Sequence, residues 1–131
     1  MVLVDTSVLI DYLKGSDNVS VRKFQSILDG GIPYGINSFI YQELLQGVKT
    51  EKGFYELKEY LDTQRFYGLK HPRSSFSEAA LIYFKCRKKG LTESSTIDFI
   101  IAQTAVENNL LLLHNDSDFE MIAKVVDLNF F

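Results

Sequence analysis

"MVLVDTSVLIDYLKG", residues 1–15, decides the fold and poses the functional question in one stretch. Met1 to Val4 form a short apolar run, rich in β-branched residues and ended by a polar one, which is the pattern of a strand buried on both faces. Asp5, Thr6 or Ser7 can cap the helix that follows, whose apolar residues are Val8, Leu9, Ile10, Tyr12 and Leu13, and Gly15 is placed to end it. A carboxylate therefore stands at residue 5, where burial should be most complete.

The same alternation continues downstream. "NVSVRKFQSILDGG" (18–31) has helical spacing at Val19, Val21, Phe24, Ile27 and Leu28, closed by Gly30 and Gly31, and "IPYGIN" (32–37) reads as a second strand. Asn37 or Ser38 caps "FIYQELLQG" (39–47), which Gly47 stops. "TEKGFYELKEYLDTQRF" (50–66) puts Phe54, Leu57, Tyr60 and Leu61 on one helix face, and "FYGLKH" (66–71) is a third strand. "SSFSEAALIYFKCRKKG" (74–90) is a helix capped by Ser74 or Ser75, with Gly90 after it. Then come a helix in "SSTIDFIIAQTAVENN", a buried strand in "LLLLHN", a short helix in "SDFEMIAKV" and a final strand in "VVDLNFF". Strands alternating with helices predict an α/β fold: a three-layer α/β/α sandwich around a mostly parallel central sheet, in one domain over residues 1–131.

Composition narrows the function. Hydrophobic residues at 46 % and charged residues at 24 % are globular values, so disorder is set aside. The net charge of -3 gives no global basic field for nucleic acid, although a bound cation can invert the charge of a site locally. The single Cys86 suits a reducing cytoplasm, and the start carries no signal-peptide pattern. No apolar run reaches the roughly 18 residues of a membrane span, so the expectation is a soluble cytoplasmic protein with no membrane contact. The absence of a P-loop, GxGxxG or CxxC removes nucleotide-cofactor and thiol-redox readings.

Four carboxylates lack an ordinary explanation. Ligands of open parallel sheets sit beyond the C-terminal strand ends, which is where Asp5 and Asp116 fall. Glu43, with Phe39 and Ile40 one turn back and Leu44 beside it, is expected to point partly at the apolar face. Asp98 stands in the first turn of an apolar helix. A buried, unpaired carboxylate costs several kcal/mol, and four together repel one another. No Lys or Arg neighbours any of them in sequence, whereas a hard divalent cation such as Mg²⁺ would neutralise the group and serve phosphodiester hydrolysis.

A plain structural role competes at each position. Asp5 matches an N-cap, and Ser95 with Asp98 matches a capping box. Asp116 fits a turn, with Ser117 and Glu120 as a capping box of their own, and Asp118 is a first-turn acid. Glu43 can snorkel to the surface. The joint placement, rather than any single residue, favours a site.

"VDTSVLIDYL", "SFIYQELLQG", "TIDFIIAQTA" and "LLLHNDSDFEMI" resemble, in that order, the four conserved blocks of PIN-domain ribonucleases, in particular VapC-type toxins of toxin–antitoxin operons. The resemblance implies metal-binding, catalytic acids at Asp5, Glu43, Asp98 and Asp116, with Asp118 near the edge. It implies hydroxyls at Thr6 and Ser7 that orient the first acid or a bound water, and Mg²⁺ as cofactor with Mn²⁺ as substitute. It further implies RNA as substrate, a 3′-hydroxyl and a 5′-phosphate as products, a homodimer, and a small VapB-like antitoxin as partner. "TEKGFYELKEYL" offers aromatic surface suited to such a partner. "IAQTA" departs from the commoner "IAA-A" form at Gln103, well past the acid.

RNA must be held against a negative chain. Lys85, Arg87, Lys88 and Lys89 form the densest basic cluster, which either complements a helix C-terminal dipole or contacts phosphate. Tyr34 or Tyr67, if exposed, can stack on a base. Two alternatives stay open, and a further enzyme class fails on one residue. Phosphatases of the haloacid dehalogenase kind need a second Asp where Ser7 stands. A protein-binding α/β domain with an acidic Mg²⁺ pocket leaves Glu43 unexplained. A housekeeping PIN nuclease for RNA processing uses the same residues.

Overall fold

Three consecutive apolar residues with no polar face can be satisfied only inside a sheet covered on both sides, and that is where Val2–Val4 lie. A computed structural model describes the chain at residues 1–91 and 94–131. In chain order its elements are β1 (Val2–Val4), α1 (Thr6–Leu13), α2 (Val19–Asp29), β2 (Tyr34–Ile36), α3 (Ser38–Gln46), α4 (Glu51–Leu61), β3 (Arg65–Phe66), α5 (Ser74–Lys88), α6 (Thr96–Glu107), β4 (Leu111–Leu113) and α7 (Ser117–Ile122). The sheet runs β3-β2-β1-β4 and every neighbouring pair is parallel. Leu3 is paired with Gly35 on one side and Leu112 on the other.

The helices form two packed groups, α1 with α2 and α3, α3 with α4, and α5 with α6 and α7, giving the expected three-layer α/β arrangement. Leu3, Val8, Phe24, Ile27, Ile40, Ile101, Leu112 and Phe119 are among the fully buried side chains between the layers. The order 3-2-1-4 matters for function. From β1 the chain steps to β2 on one side, while β4 returns on the other, so the strand order reverses between β1 and β4. That reversal opens a crevice at their C-terminal ends. Among the described residues no helix is long and apolar enough to cross a membrane.

Local signals account for most boundaries. The side chains of Asp5, Asn18, Asn37, Thr50 and Ser95 accept backbone N–H bonds at the starts of α1, α2, α3, α4 and α6. Gly15 follows α1 with φ +75°, a left-handed conformation that glycine takes without strain. Gly35 has a different reason to be glycine. A Cβ there would lie 2.5 Å from the Arg65 carbonyl oxygen and 2.7 Å from the Tyr67 ring. Gly35→Ala is therefore expected to push β3 off the sheet edge, costing about 1–3 kcal/mol. A melt indistinguishable from wild type would show that the edge yields freely.

Several expectations need correction. The third strand is Arg65–Phe66 rather than 66–71, and its predecessor helix stops at Leu61, because Tyr67 N–H already bonds back to the Ile36 carbonyl at 2.8 Å. Arg73, not Ser74 or Ser75, occupies the α5 N-cap and makes no side-chain cap bond. The Ser75 hydroxyl instead accepts the His71 N–H at 3.0 Å. Residues 125–131 form no strand: a single parallel bridge joins Leu112 to Phe130. Its two bonds, Leu112 N–H to Asn129 and Phe131 N–H to Leu112, occupy only one residue of β4.

Candidate metal centre

The crevice between β1 and β4 gathers acids from three helix starts. Asp5 ends β1, and its N–H continues the ladder by bonding the Leu113 carbonyl at 2.9 Å. Its side chain is 5 % exposed and caps α1, with Oδ2 accepting the Ser7 N–H at 3.1 Å and the Ser7 hydroxyl at 2.6 Å. The Ser7 Oγ in turn accepts the Asn115 N–H at 3.0 Å, so one hydroxyl ties the Asp5 carboxylate to the loop after β4. Capping and burial are thus combined in Asp5, which serves as cap and candidate ligand together.

Asp116 caps α7 one residue earlier than the Ser117 box anticipated, because its Oδ1 accepts the Asp118 N–H at 2.9 Å. Asp98 does close the expected capping box. Its Oδ2 accepts the Ser95 N–H at 3.1 Å, and its own N–H approaches Ser95 Oγ at 3.4 Å. Carboxylate oxygens of Asp98, Asp116 and Asp118 all lie within 4.8 Å of one another. Asp118, expected as a structural first-turn acid, therefore stands inside the cluster.

Glu43 departs from expectation. It is exposed on α3 rather than turned toward the apolar face, because Ile40, Leu44 and Leu45 take the packing and leave its stem outside. Its Oε1 nevertheless accepts the Thr6 hydroxyl at 3.1 Å, which brings it to the residue beside Asp5.

Electrostatics follow from this crowding. Burial pushes the Asp5 carboxyl above the ordinary carboxylate range, and the negative charge of Asp116 adds to the shift against the Ser7 hydrogen bonds. Burial likewise raises Asp98, to about 6, with the charges of Asp116 and Asp5 contributing. Among the described residues no Lys or Arg ion-pairs with Asp5, Glu43, Asp98 or Asp116. All-oxygen donors without an internal cation fit a hard divalent ion.

Sequence reasoning assigned no role in the site to the residues that hold these acids in place, naming Asn37 only as a cap of α3. Asp11 accepts the side-chain amides of Asn18 and Asn115, each at 3.0 Å, and so pins the loop after β4 to α1. Asp11 lies four residues after Ser7 on the same helix face, and that spacing was the available signal. Buried Asn37 caps α3 and donates to the Thr104 hydroxyl at 3.3 Å, joining the helix that carries Glu43 to the one that carries Asp98. The His114 Nδ1 accepts the Asp116 N–H at 3.1 Å, and burial holds its pKa below the usual value, so it positions Asp116 as a neutral ring.

Lys85, Arg87, Lys88 and Lys89 are exposed at the C-terminal end of α5. Lys85, Lys88 and Lys89 line a depression of about 330 Å³ with Lys124, just beyond α7. Tyr34 and Tyr67 are half-buried and pack against the core.

Comparison with known proteins places this geometry. The chain is 25 % identical over 129 residues to the VapC ribonuclease Mb1587 of Mycobacterium bovis, covering 98 % of this chain and 96 % of that protein. It is equally similar to Ribonuclease VapC11 of Mycobacterium tuberculosis. Among solved structures, VapBC2 from Rickettsia felis, bound to a promoter DNA fragment, superposes with a TM-score of 0.76 at 18 % identity, covering 100 % of this chain and 98 % of that one. FitAcB from Neisseria gonorrhoeae gives 0.70 at 22 % identity, covering 100 % and 96 %. The PIN domain family matches residues 2–125, a span that takes in all the acids of the cluster, and the chain belongs to that family.

Proposed function

We propose that this protein is a metal-dependent endoribonuclease that hydrolyses RNA phosphodiester bonds, acting as the toxin of a type II toxin–antitoxin pair. The observation that carries this reading is the set of Asp98, Asp116 and Asp118 oxygens within 4.8 Å of one another, beside buried Asp5, with no Lys or Arg ion pair to Asp5, Asp98 or Asp116 among the described residues. Asp5, Asp98 and Asp116 would hold the ion, with Asp118 at its side and Glu43 reaching it from α3. A bound Mg²⁺ or Mn²⁺ supplies the missing counter-charge, lowers the pKa of a coordinated water and stabilises charge on the scissile phosphate.

The chain's own residues do the rest. Ser7 fixes the Asp5 carboxylate through two bonds. Thr6 donates to Glu43 and holds its carboxylate at the residue next to Asp5. His114 sets the backbone of Asp116. Lys85, Arg87, Lys88 and Lys89 offer phosphate contacts outside the acidic crevice. We further infer a homodimer and a VapB-like antitoxin. Tyr55 and Tyr60 on α4, with Ile10 and Leu13 on α1, are exposed and offer apolar surface to a protein partner.

The experiment is cleavage of structured and single-stranded RNAs by purified protein. Products should appear with Mg²⁺ or Mn²⁺ and stop on addition of excess chelator. Undiminished cleavage under chelation overturns the metal reading, and no cleavage of any RNA overturns the nuclease.

A further inference from the structure

One surface beside the acids is not used by the metal chemistry. α5 carries Phe76, Ala79, Ala80 and Tyr83 along a single face, at i, i+3, i+4 and i+7. Two aromatic posts thus stand about 10 Å apart along the helix axis with only methyl groups between them. The gap is floored by Phe99 and Ile100 and closed at one end by Ser94, Ser95 and Thr96, making a notch of about 440 Å³. That volume falls inside the roughly 300–1,000 Å³ range of small-molecule sites. Phe76 is 45 % exposed and Tyr83 36 %, so both rings present surface to solvent. Tyr83 is nonetheless fixed edge-on against Phe99 at 5.3 Å.

Three features single out an occupant. The notch adjoins the acids, since Ser95 is the capping partner of Asp98. A cation sits at its outer end, with the Arg87 guanidinium 5.6 Å from the Tyr83 ring centre and the lysines of the same helix end following. Its walls are aromatic rings with exposed surface, Phe76 and Tyr83. Flat aromatic walls with a guanidinium outside correspond to a ring and its phosphate.

We propose that the notch between α5 and the start of α6 receives an unpaired nucleobase of the RNA, next to the phosphate held at the acids. The proposal rests on the nuclease reading and deepens it. The substrate is then single-stranded at the cleavage point, because a paired base cannot enter. Stacking on Tyr83 and Phe76 tolerates any base.

The probe is a short single-stranded oligoribonucleotide carrying 2-aminopurine, titrated with full-length protein in chelator so that it binds without being cut. Stacking quenches its fluorescence. Tyr83→Leu and Phe76→Leu should each weaken binding about tenfold and reduce the quench, while Tyr83→Phe should leave both near wild type. Melting curves confirm that each variant is folded, and half-exposed Phe76 covers the case in which Tyr83→Leu disturbs Phe99. Wild-type binding that the Leu variants leave unchanged overturns the notch and spares the nuclease. Sedimentation showing that those variants lose affinity only as a dimer dissociates makes the face a subunit contact, which also overturns it. A wild type that neither binds nor cuts RNA removes both readings.

Discussion

Replacing Asp5 with Asn is expected to lower RNA cleavage at least about a thousandfold while leaving the fold in place, since the charge stabilisation supplied by a catalytic metal is worth several kcal/mol. The substitution suits the position because Asp5 has two roles that can be separated. As the cap of α1 it needs only an oxygen that accepts from Ser7, and Asn provides one with comparable capping preference. As a ligand it needs a negative charge, which Asn lacks. Burial already holds the carboxyl above its ordinary range, so the charged form is the costly one in the empty site. The melting temperature of the variant in chelator should therefore equal or exceed that of wild type. Expression in a bacterial host should become harmless. A variant that still arrests growth, or cuts RNA at the wild-type rate, shows that Asp5 only caps.

The fold was legible because its signals are local and redundant. Val2–Val4 and Leu111–Leu113 are apolar without interruption, and all the helices between strands except α5 carry side-chain caps at their starts. What failed was of another kind. Residues 125–131 have strand composition, yet a strand exists only where an edge accepts it along its length, and β4 accepts Phe130 alone. The start of α5 likewise ignores two available serines, because Ser75 is needed to hold His71. Competition of this sort is tertiary and leaves no trace in a window of ten residues.

The site divides the same way. The positions of Asp5, Asp98 and Asp116 beside one crevice could be anticipated because strand ends and helix starts have fixed places in a parallel sheet. Glu43 was placed wrongly, since the orientation of one helical side chain depends on how the whole helix seats. Asp118 was undervalued for the opposite reason: its capping position explained it too well. Capping and the proposed metal binding draw on the same geometry here. A helix N-terminus favours a carboxylate, and α6 and α7 start close enough together to bring Asp98, Asp116 and Asp118 within 4.8 Å of one another.

Asp98 offers the sharpest separation of those two roles. Its folded-state pKa of about 6 lies above the unfolded 3.8, so the folded protein holds that proton more tightly than the unfolded chain does. The associated stability is fully present below about pH 4 and lost as the pH rises through about 6. At neutral pH the charged Asp98 therefore strains the metal-free protein. Asp98→Asn keeps an acceptor for the Ser95 N–H and removes the charge, so in chelator at pH 7.5 it should be the more stable protein. The gain should be about 1 kcal/mol, discounted because the carboxylate is half-exposed and screened by water, or about 3 °C. The difference should fade on acidification toward pH 4, where wild type is neutral as well. With saturating Mn²⁺ the order should reverse, because wild type gains binding free energy that the variant cannot match. Paired thermal melts at pH 7.5 and pH 4, with chelator and with Mn²⁺, decide the matter. If Asp98→Asn is less stable by the same amount under every condition, Asp98 serves α6 as a cap alone, and the metal must be held by Asp5, Asp116 and Asp118 without it.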